Sequence, residues 1–169
     1  MLKVVLADDE NKVILLMRKL IDWEALGYEV VGVANDGPHA LELVQTQQPQ
    51  LLITDIRMPG CDGIELIRRA KELQPQLHFI VISGYRQFEY AQSALKYGVE
   101  DYLLKPLKQE ELSSILLRIK DKLGEEAAVE FQLKQNSERQ QERFIDTLKN
   151  AADHDQPFIN AAQADTEFG

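Results

Sequence analysis

Between residue 3 and about residue 123, short apolar runs alternate with amphipathic helical patterns, and the pair recurs five times. The runs are KVVLA (3–7), EVVGVA (29–34), LLIT (51–54), FIVI (79–82) and DYLL (101–104). Most lack the in–out alternation of a half-exposed strand and read as strands covered on both faces, as in a parallel sheet. Between them apolar residues return at spacings of three and four. Val13, Leu16, Met17, Leu20 and Ile21 form the first such stripe, and Ala40, Leu41 and Val44, opened by Gly37-Pro38, form the second. Ile64, Ile67 and Ala70 make the third, Phe88, Ala91, Ala94 and Leu95 the fourth, and Leu112, Ile115, Leu116 and Ile119 the fifth. The fifth carries Glu110 and Glu111 early and Lys120 and Lys122 late, as the helix dipole favours. Five strand-then-helix units predict an α/β fold, a doubly wound five-stranded parallel sheet with helices on both faces. A chain of 169 residues with 44% hydrophobic content accommodates one such domain and leaves some chain over.

The texture changes after Gly124. Residues 125–149 are rich in Glu, Gln and Arg, with sparse apolar positions at Val129, Phe131, Leu133, Phe144 and Leu148. This predicts a solvated helical linker, with a heptad too broken to define a coiled coil by itself. Residues 150–169 show no sustained periodicity and are expected to be an irregular tail, or the start of a further domain. The expected division is therefore 1–123, 124–149 and 150–169. Up to residue 123 there are 15 basic and 18 acidic residues; beyond it there are 4 and 10. With a net charge of −9 and no basic cluster, a nucleic-acid surface within this chain is not expected. The lone Cys61, the lack of a signal-like N-terminus and the lack of a spanning apolar run point to a cytoplasmic protein.

In parallel α/β sheets ligands bind beyond the carboxyl ends of the strands, where the winding direction switches. The first strand ends in Asp8-Asp9-Glu10, the third in Asp55, the fourth in Ser83-Gly84, and the fifth leads to Lys105-Pro106. If the strand order is 2-1-3-4-5, strands one and three flank the switch point and Asp8, Asp9 and Asp55 converge. Such carboxylates repel one another unless a cation sits among them. An all-oxygen set without Cys or His suits Mg²⁺ better than zinc. With a divalent cation present, Asp55 has the chemistry of a carboxylate nucleophile toward a phosphoryl group. Lys105 and Ser83 would then hold the phosphoryl oxygens. A single Asp after a strand is usually only a turn former or helix cap. An acidic pair, an Asp, a Ser and a Lys at the ends of four strands are much harder to explain by turn chemistry.

Four stretches, VVLADDE, LLITDIRMPGCDGIEL, IVISGY and DYLLKPL, in this order and at these separations, resemble the receiver domain of two-component response regulators over about residues 1–123. The 2-1-3-4-5 order is the order of that family and is implied by the resemblance rather than derived from spacing. The resemblance implies that Asp55 is the phosphoacceptor, charged by the phosphohistidine of a sensor histidine kinase. It implies that Asp8 and Asp9 hold Mg²⁺ together with Asp55 and the backbone carbonyl of Arg57. Lys105 matches the family's lysine, with Lys105-Pro106 as a cis peptide; Ser83 and Tyr102 match its switch hydroxyl and switch aromatic. Phosphorylation would draw Ser83 inward, let Tyr102 rotate, and remodel the face of helix four, strand five and helix five.

LIDWEALGYEVVGVANDG and SGYRQFEYAQSALKYGVEDYLLKPL resemble the subgroup whose full-length members end in an AraC-type helix-turn-helix region, and QERFIDTLKN resembles its helical linker. DNA would then be reached only through a C-terminal domain not included here, and a homodimer is expected on activation. Trp23 is expected to pack at the end of the first helix, and His39, His78 and His154 fall at no site strand end. Arg57, together with Tyr85 on the facing loop, is expected to slow hydrolysis of an acyl phosphate at Asp55.

Two other functions compete with a signalling switch. Haloacid-dehalogenase-like phosphatases also use a strand-tip Asp, but need a second Asp two residues later as general acid. Arg57 stands there and cannot donate a proton at neutral pH, so a turnover enzyme is not expected. A receiver used only as an interaction module typically lacks the acidic pair, the Asp or the Lys, and this sequence has all of them.

Overall fold

The computed structural model describes residues 1–84 and 88–167, with side chains described except at Phe88 and 154–167. Its elements run β1 (Leu2–Ala7), α1 (Asn11–Leu20), β2 (Tyr28–Ala34), α2 (Gly37–Gln47), β3 (Leu51–Asp55), α3 (Gly63–Leu73), β4 (His78–Ser83), α4 (Phe88–Lys96), β5 (Asp101–Leu104) and α5 (Gln109–Glu167). The five strands form one sheet in the order β2-β1-β3-β4-β5, with every pairing parallel. All five residues of β3 and all six of β4 are buried, which is why these strands read as unbroken apolar runs. Two compact units are present, Met1–Lys122 and Leu123–Gly169.

In the first unit, Val5, Ala7, Leu52, Phe79 and Val81 share a core with Ala40 and Val44 of α2, Leu66, Ile67 and Ala70 of α3, and Ala94 of α4. Strand residues of the other parity, such as Val4, Leu6, Ile53 and Ile80, are fully buried toward the opposite face. There lie α1, through Ile14 and Met17, and α5, through Leu112, Ile115, Leu116 and Ile119. Tyr28 locks this side by donating its hydroxyl to the Leu116 carbonyl at 2.6 Å. Trp23 packs edge-on to Tyr28, with ring centroids 6.3 Å apart, and donates its indole N–H to the Met17 carbonyl at 3.2 Å.

Local chemistry sets the helix starts. Asp36 caps α2 by accepting the His39 N–H at 2.7 Å, and Asp62 caps α3 by accepting the Glu65 N–H at 2.8 Å. A Cβ at Gly63 would lie 2.2 Å from the Asp55 carbonyl oxygen, so only glycine lets α3 begin this close to the end of β3.

Two of the expected stripes are rotated. In α1 the buried face runs through Ile14, Met17 and Ile21, while Leu16 is 42% exposed and Leu15 55%. The run Val13-Ile14-Leu15-Leu16-Met17 allows several three-and-four spacings, and tertiary packing chooses among them. In α4, Ala94 is buried but Leu95 is 70% exposed.

The second unit is the helical segment beginning at Leu123, and each residue from Gly124 to Asp153 is exposed. The backbone stays helical to Glu167, in the stretch expected to be an irregular tail or the start of a further domain. Ala151, Ala152, Ala161, Ala162 and Ala164 carry the highest intrinsic helix propensity, a signal that a search for apolar periodicity does not register. No helix among the described residues is long and apolar enough to cross a membrane.

The rotation of α1 has a direct test in chemical denaturation. Ile14→Ala is expected to lose about 2–5 kcal/mol, the usual cost of a buried large-to-small change. Leu16→Ala is expected to stay within about 1 kcal/mol of the parent. Equal or reversed losses would place the wrong face of α1 inward.

Candidate functional site

Asp8 follows β1 directly, and its backbone N–H continues the sheet by donating to the Ala34 carbonyl at 3.0 Å. The side chain is 1% exposed. One carboxylate oxygen accepts the Glu10 N–H at 2.9 Å, and the other lies 3.1 Å from the Lys105 ammonium. Asp55 is the last residue of β3, the neighbour of β1. Its Oδ1 accepts the Ile56 N–H at 2.7 Å and its Oδ2 lies 3.2 Å from Lys105 Nζ. Glu10 stands at the N-cap of α1 but makes no side-chain cap; its Oε1 lies 3.3 Å from the same ammonium.

Lys105 therefore meets three carboxylates that come from two strands. Its backbone N–H donates to the Ser83 carbonyl at 2.8 Å, which fixes it to the end of β4, and the Lys105-Pro106 peptide is cis. Oxygens of Asp8, Asp9, Glu10 and Asp55 all fall within 4.8 Å of one another.

The electrostatics follow from burial and from the excess of negative charge. Burial pushes the Asp8 carboxyl up to about 6; the Glu10 N–H and Lys105 oppose the rise, and the charge of Asp55 adds to it. Burial would lower the Lys105 pKa, but the charges of Asp55 and then Asp8 raise it above its ordinary value, so the ammonium stays protonated. One cation cannot balance four neighbouring carboxylates. A hard divalent cation fits the set, since every side-chain donor is a carboxylate oxygen and none is sulfur or imidazole.

Asp8, Asp55 and Lys105 are thus in direct contact, with Asp9 exposed at the mouth of the cluster. Ser83 is fully buried at the tip of β4, opposite Leu104 in the β5 register. Tyr102 is half-buried on β5, paired with Val81, and lines a crevice with Ala91, Leu95 and Arg118 between α4, β5 and α5. Arg57 is exposed on the loop after β3, and its guanidinium donates to the Tyr90 hydroxyl at 3.3 Å. The residue expected beside it, Tyr85, lies outside the described residues. Glu10 belongs to the cluster although the expected metal set (Asp8, Asp9, Asp55 and the Arg57 carbonyl) left it out. The signal was present in the unbroken Asp8-Asp9-Glu10 run, which turns from strand into helix and carries its third carboxylate back over the rim.

Comparison with known proteins agrees with this geometry. The family model described as response regulator receiver domain matches residues 4–117. The chain is 45% identical over 119 residues to the transcriptional regulatory protein YesN of Bacillus subtilis, covering 70% of this chain and 32% of that protein. It is 39% identical over 119 residues to the transcriptional regulatory protein HptR of Staphylococcus aureus, covering 70% of this chain and 46% of that protein. The chain thus spans a third to a half of the length of these curated relatives. The solved receiver domain of AraT, a response regulator from Geobacillus stearothermophilus, superposes with a TM-score of 0.71 at 42% identity, covering 75% of this chain and 98% of that one. Family match, relatives and sheet order agree: this chain belongs to the receiver domains of two-component response regulators.

Proposed function

We propose that the protein is a phosphorylation switch in which Asp55 takes a phosphoryl group from the phosphohistidine of a sensor histidine kinase. The observation that carries this reading is the position of Asp55, a buried strand-tip carboxylate with Lys105 Nζ 3.2 Å from Oδ2 and further carboxylates alongside. Oδ1 accepts the Ile56 N–H and Oδ2 faces Lys105, so we assign the attack to Oδ2, on the side where the ammonium can receive the phosphoryl oxygens. The O–P bond to Asp55 forms as the P–N bond of the phosphohistidine breaks, and the imidazole leaves with the bonding pair. Lys105 and the Ser83 hydroxyl receive the phosphoryl oxygens. Asp8, Asp9, Asp55 and the Arg57 carbonyl would hold Mg²⁺, with Glu10 at the edge of the set. Bound there, the ion supplies charge neutralisation for the incoming phosphoryl group. Later hydrolysis of the acyl phosphate returns the carboxylate, so the domain is reset rather than turning over an external substrate.

Ser83 and Tyr102 would carry the change of state to the face of α4, β5 and α5, the role their positions have in the family. The output is transcriptional and of the AraC type in this reading, reached through a region beyond this chain. Supporting it are the linker resemblance and the two relatives named as transcriptional regulatory proteins, both much longer than the matched part. The protein would work in the cytoplasm and pair with a second copy when activated. Exposed Val129, Phe131, Leu133, Phe144, Ile145 and Leu148 supply apolar surface for that pairing.

Three measurements test these statements. Incubation with acetyl phosphate and Mg²⁺ should add one phosphoryl mass to the wild type and none to Asp55→Asn; an unmodified wild type, or a modified variant, refutes the assignment. The second concerns Asp8. Its folded pKa of about 6 lies above the ordinary carboxylate value of 3.8, so its contribution to stability is full below the latter and lost as pH rises through the former. Asp8→Asn should therefore stabilise the metal-free protein at pH 8 by roughly 1–3 kcal/mol, with the difference vanishing toward pH 4. Mg²⁺ should raise the wild-type melting temperature more than that of the variant, and a variant that gains as much from Mg²⁺ removes Asp8 from the metal set. Third, Leu133→Asp with Phe144→Asp should weaken self-association in sedimentation, and an unchanged equilibrium removes residues 125–149 from the interface.

A further inference from the structure

We infer that Arg57 and Tyr90 form a relay through which the charge on Asp55 sets the hold of the β3–α3 loop on the first turn of α4. The inference rests on the phosphoacceptor reading of Asp55. Arg57 follows Asp55 by two residues, on a loop whose start is fixed: Asp55 and Ile56 are buried, and the Gly63 N–H donates to the Ile56 carbonyl. From there the exposed Arg57 side chain reaches Tyr90, in the first turn of α4. Its Nη2 donates to the hydroxyl at 3.3 Å and its guanidinium carbon lies 5.8 Å from the ring centroid. The contact combines a hydrogen bond and a cation–π interaction with one side chain. Tyr90 is itself half-buried against the central core, so the guanidinium touches a ring that is anchored to the domain.

The competition between partners gives this contact its meaning. Among the described ion pairs at the rim, Lys105 is already shared by Asp8, Glu10 and Asp55. A phosphoryl group on Asp55 replaces the single carboxylate charge with about −1.5 to −2 at neutral pH, carried further out along the side chain, and brings three acceptor oxygens. Arg57 sits on the same loop, with a planar fork of donors that matches phosphate geometry. A solvent-exposed hydrogen bond and cation–π contact to a neutral phenol are weak beside a bidentate pair with a phosphoryl dianion. Phosphorylation therefore draws the guanidinium from Tyr90 toward the acyl phosphate, and the first turn of α4 loses one of its ties to the loop.

Hydrogen exchange of a peptide covering residues 88–97 tests the relay, with the phosphoryl mass of the intact chain read in parallel. In the wild type, acetyl phosphate and Mg²⁺ should raise exchange in this peptide several-fold, and Asp55→Asn should abolish the rise. Tyr90→Leu, which removes hydroxyl and ring, should show raised exchange before phosphorylation and little further change after it, while gaining the phosphoryl mass as the wild type does. Tyr90→Phe keeps the ring and its packing, and should fall between the two. Wild-type-like exchange in both Tyr90 variants, before and after a proven mass gain, overturns the relay and leaves the phosphoacceptor reading intact. Absence of mass gain in the wild type overturns that reading and the relay with it.

Discussion

One ammonium group answers for the charge of three carboxylates at the carboxyl edge of the sheet. Lys105 Nζ lies 3.1 Å from Asp8, 3.2 Å from Asp55 and 3.3 Å from Glu10, and Asp9 stands within the same cluster. Strands β1 and β3 are buried on both faces, so their tips cannot retreat from each other without dismantling the sheet. The repulsion is consequently built in, and the charge of Asp55 adds to the rise that burial causes in the pKa of Asp8. A site under this kind of tension gains from a hard cation placed among the carboxylates. The phosphoryl transfer proposed for Asp55 depends on that neutralisation.

The opposite edge of the sheet is organised differently. His78, at the start of β4, lies 2.7 Å from Glu100, and Lys122 reaches the same carboxylate at 2.9 Å. Burial would raise the Glu100 pKa, but its hydrogen bonds to His78 and Lys122 bring it below the ordinary value. Arg118 adds a pair with Asp101 at 3.3 Å. Charges here are matched and tie β4, β5 and the part of α5 within the first unit together. The contrast is one of charge balance: this cluster is matched, and the cluster at the carboxyl ends of β1 and β3 has carboxylates in excess.

Much of this was legible from residue order. Five strand–helix units, the Asp after β3, the acidic run after β1 and Lys105 before Pro106 are all local patterns, and hydrophobic periodicity locates them without reference to tertiary contacts. Misjudged features share a cause, which is that more than one arrangement satisfied the pattern. Five successive apolar residues in α1 fit several faces, and only packing on the sheet selects Ile14 over Leu16. Leu95 fits an apolar stripe in α4 and is nevertheless exposed. Glu10 was visible as an acid but its reach back to Lys105 was not, because that depends on how α1 leaves the strand.

What the sequence determined by itself is the element list and the chemistry available at each strand end, since both follow from short-range patterns of apolar, charged and turn-forming residues. Tertiary structure decided which of those ends meet. Asp8 and Asp55 are separated by 46 intervening residues in the chain yet share one ammonium, and Arg57 meets Tyr90 across 33 positions. Such meetings depend on strand order, on the register of parallel pairs and on the way each helix is rotated onto the sheet. Those are properties of the packed whole, where long-range contacts outweigh local preference.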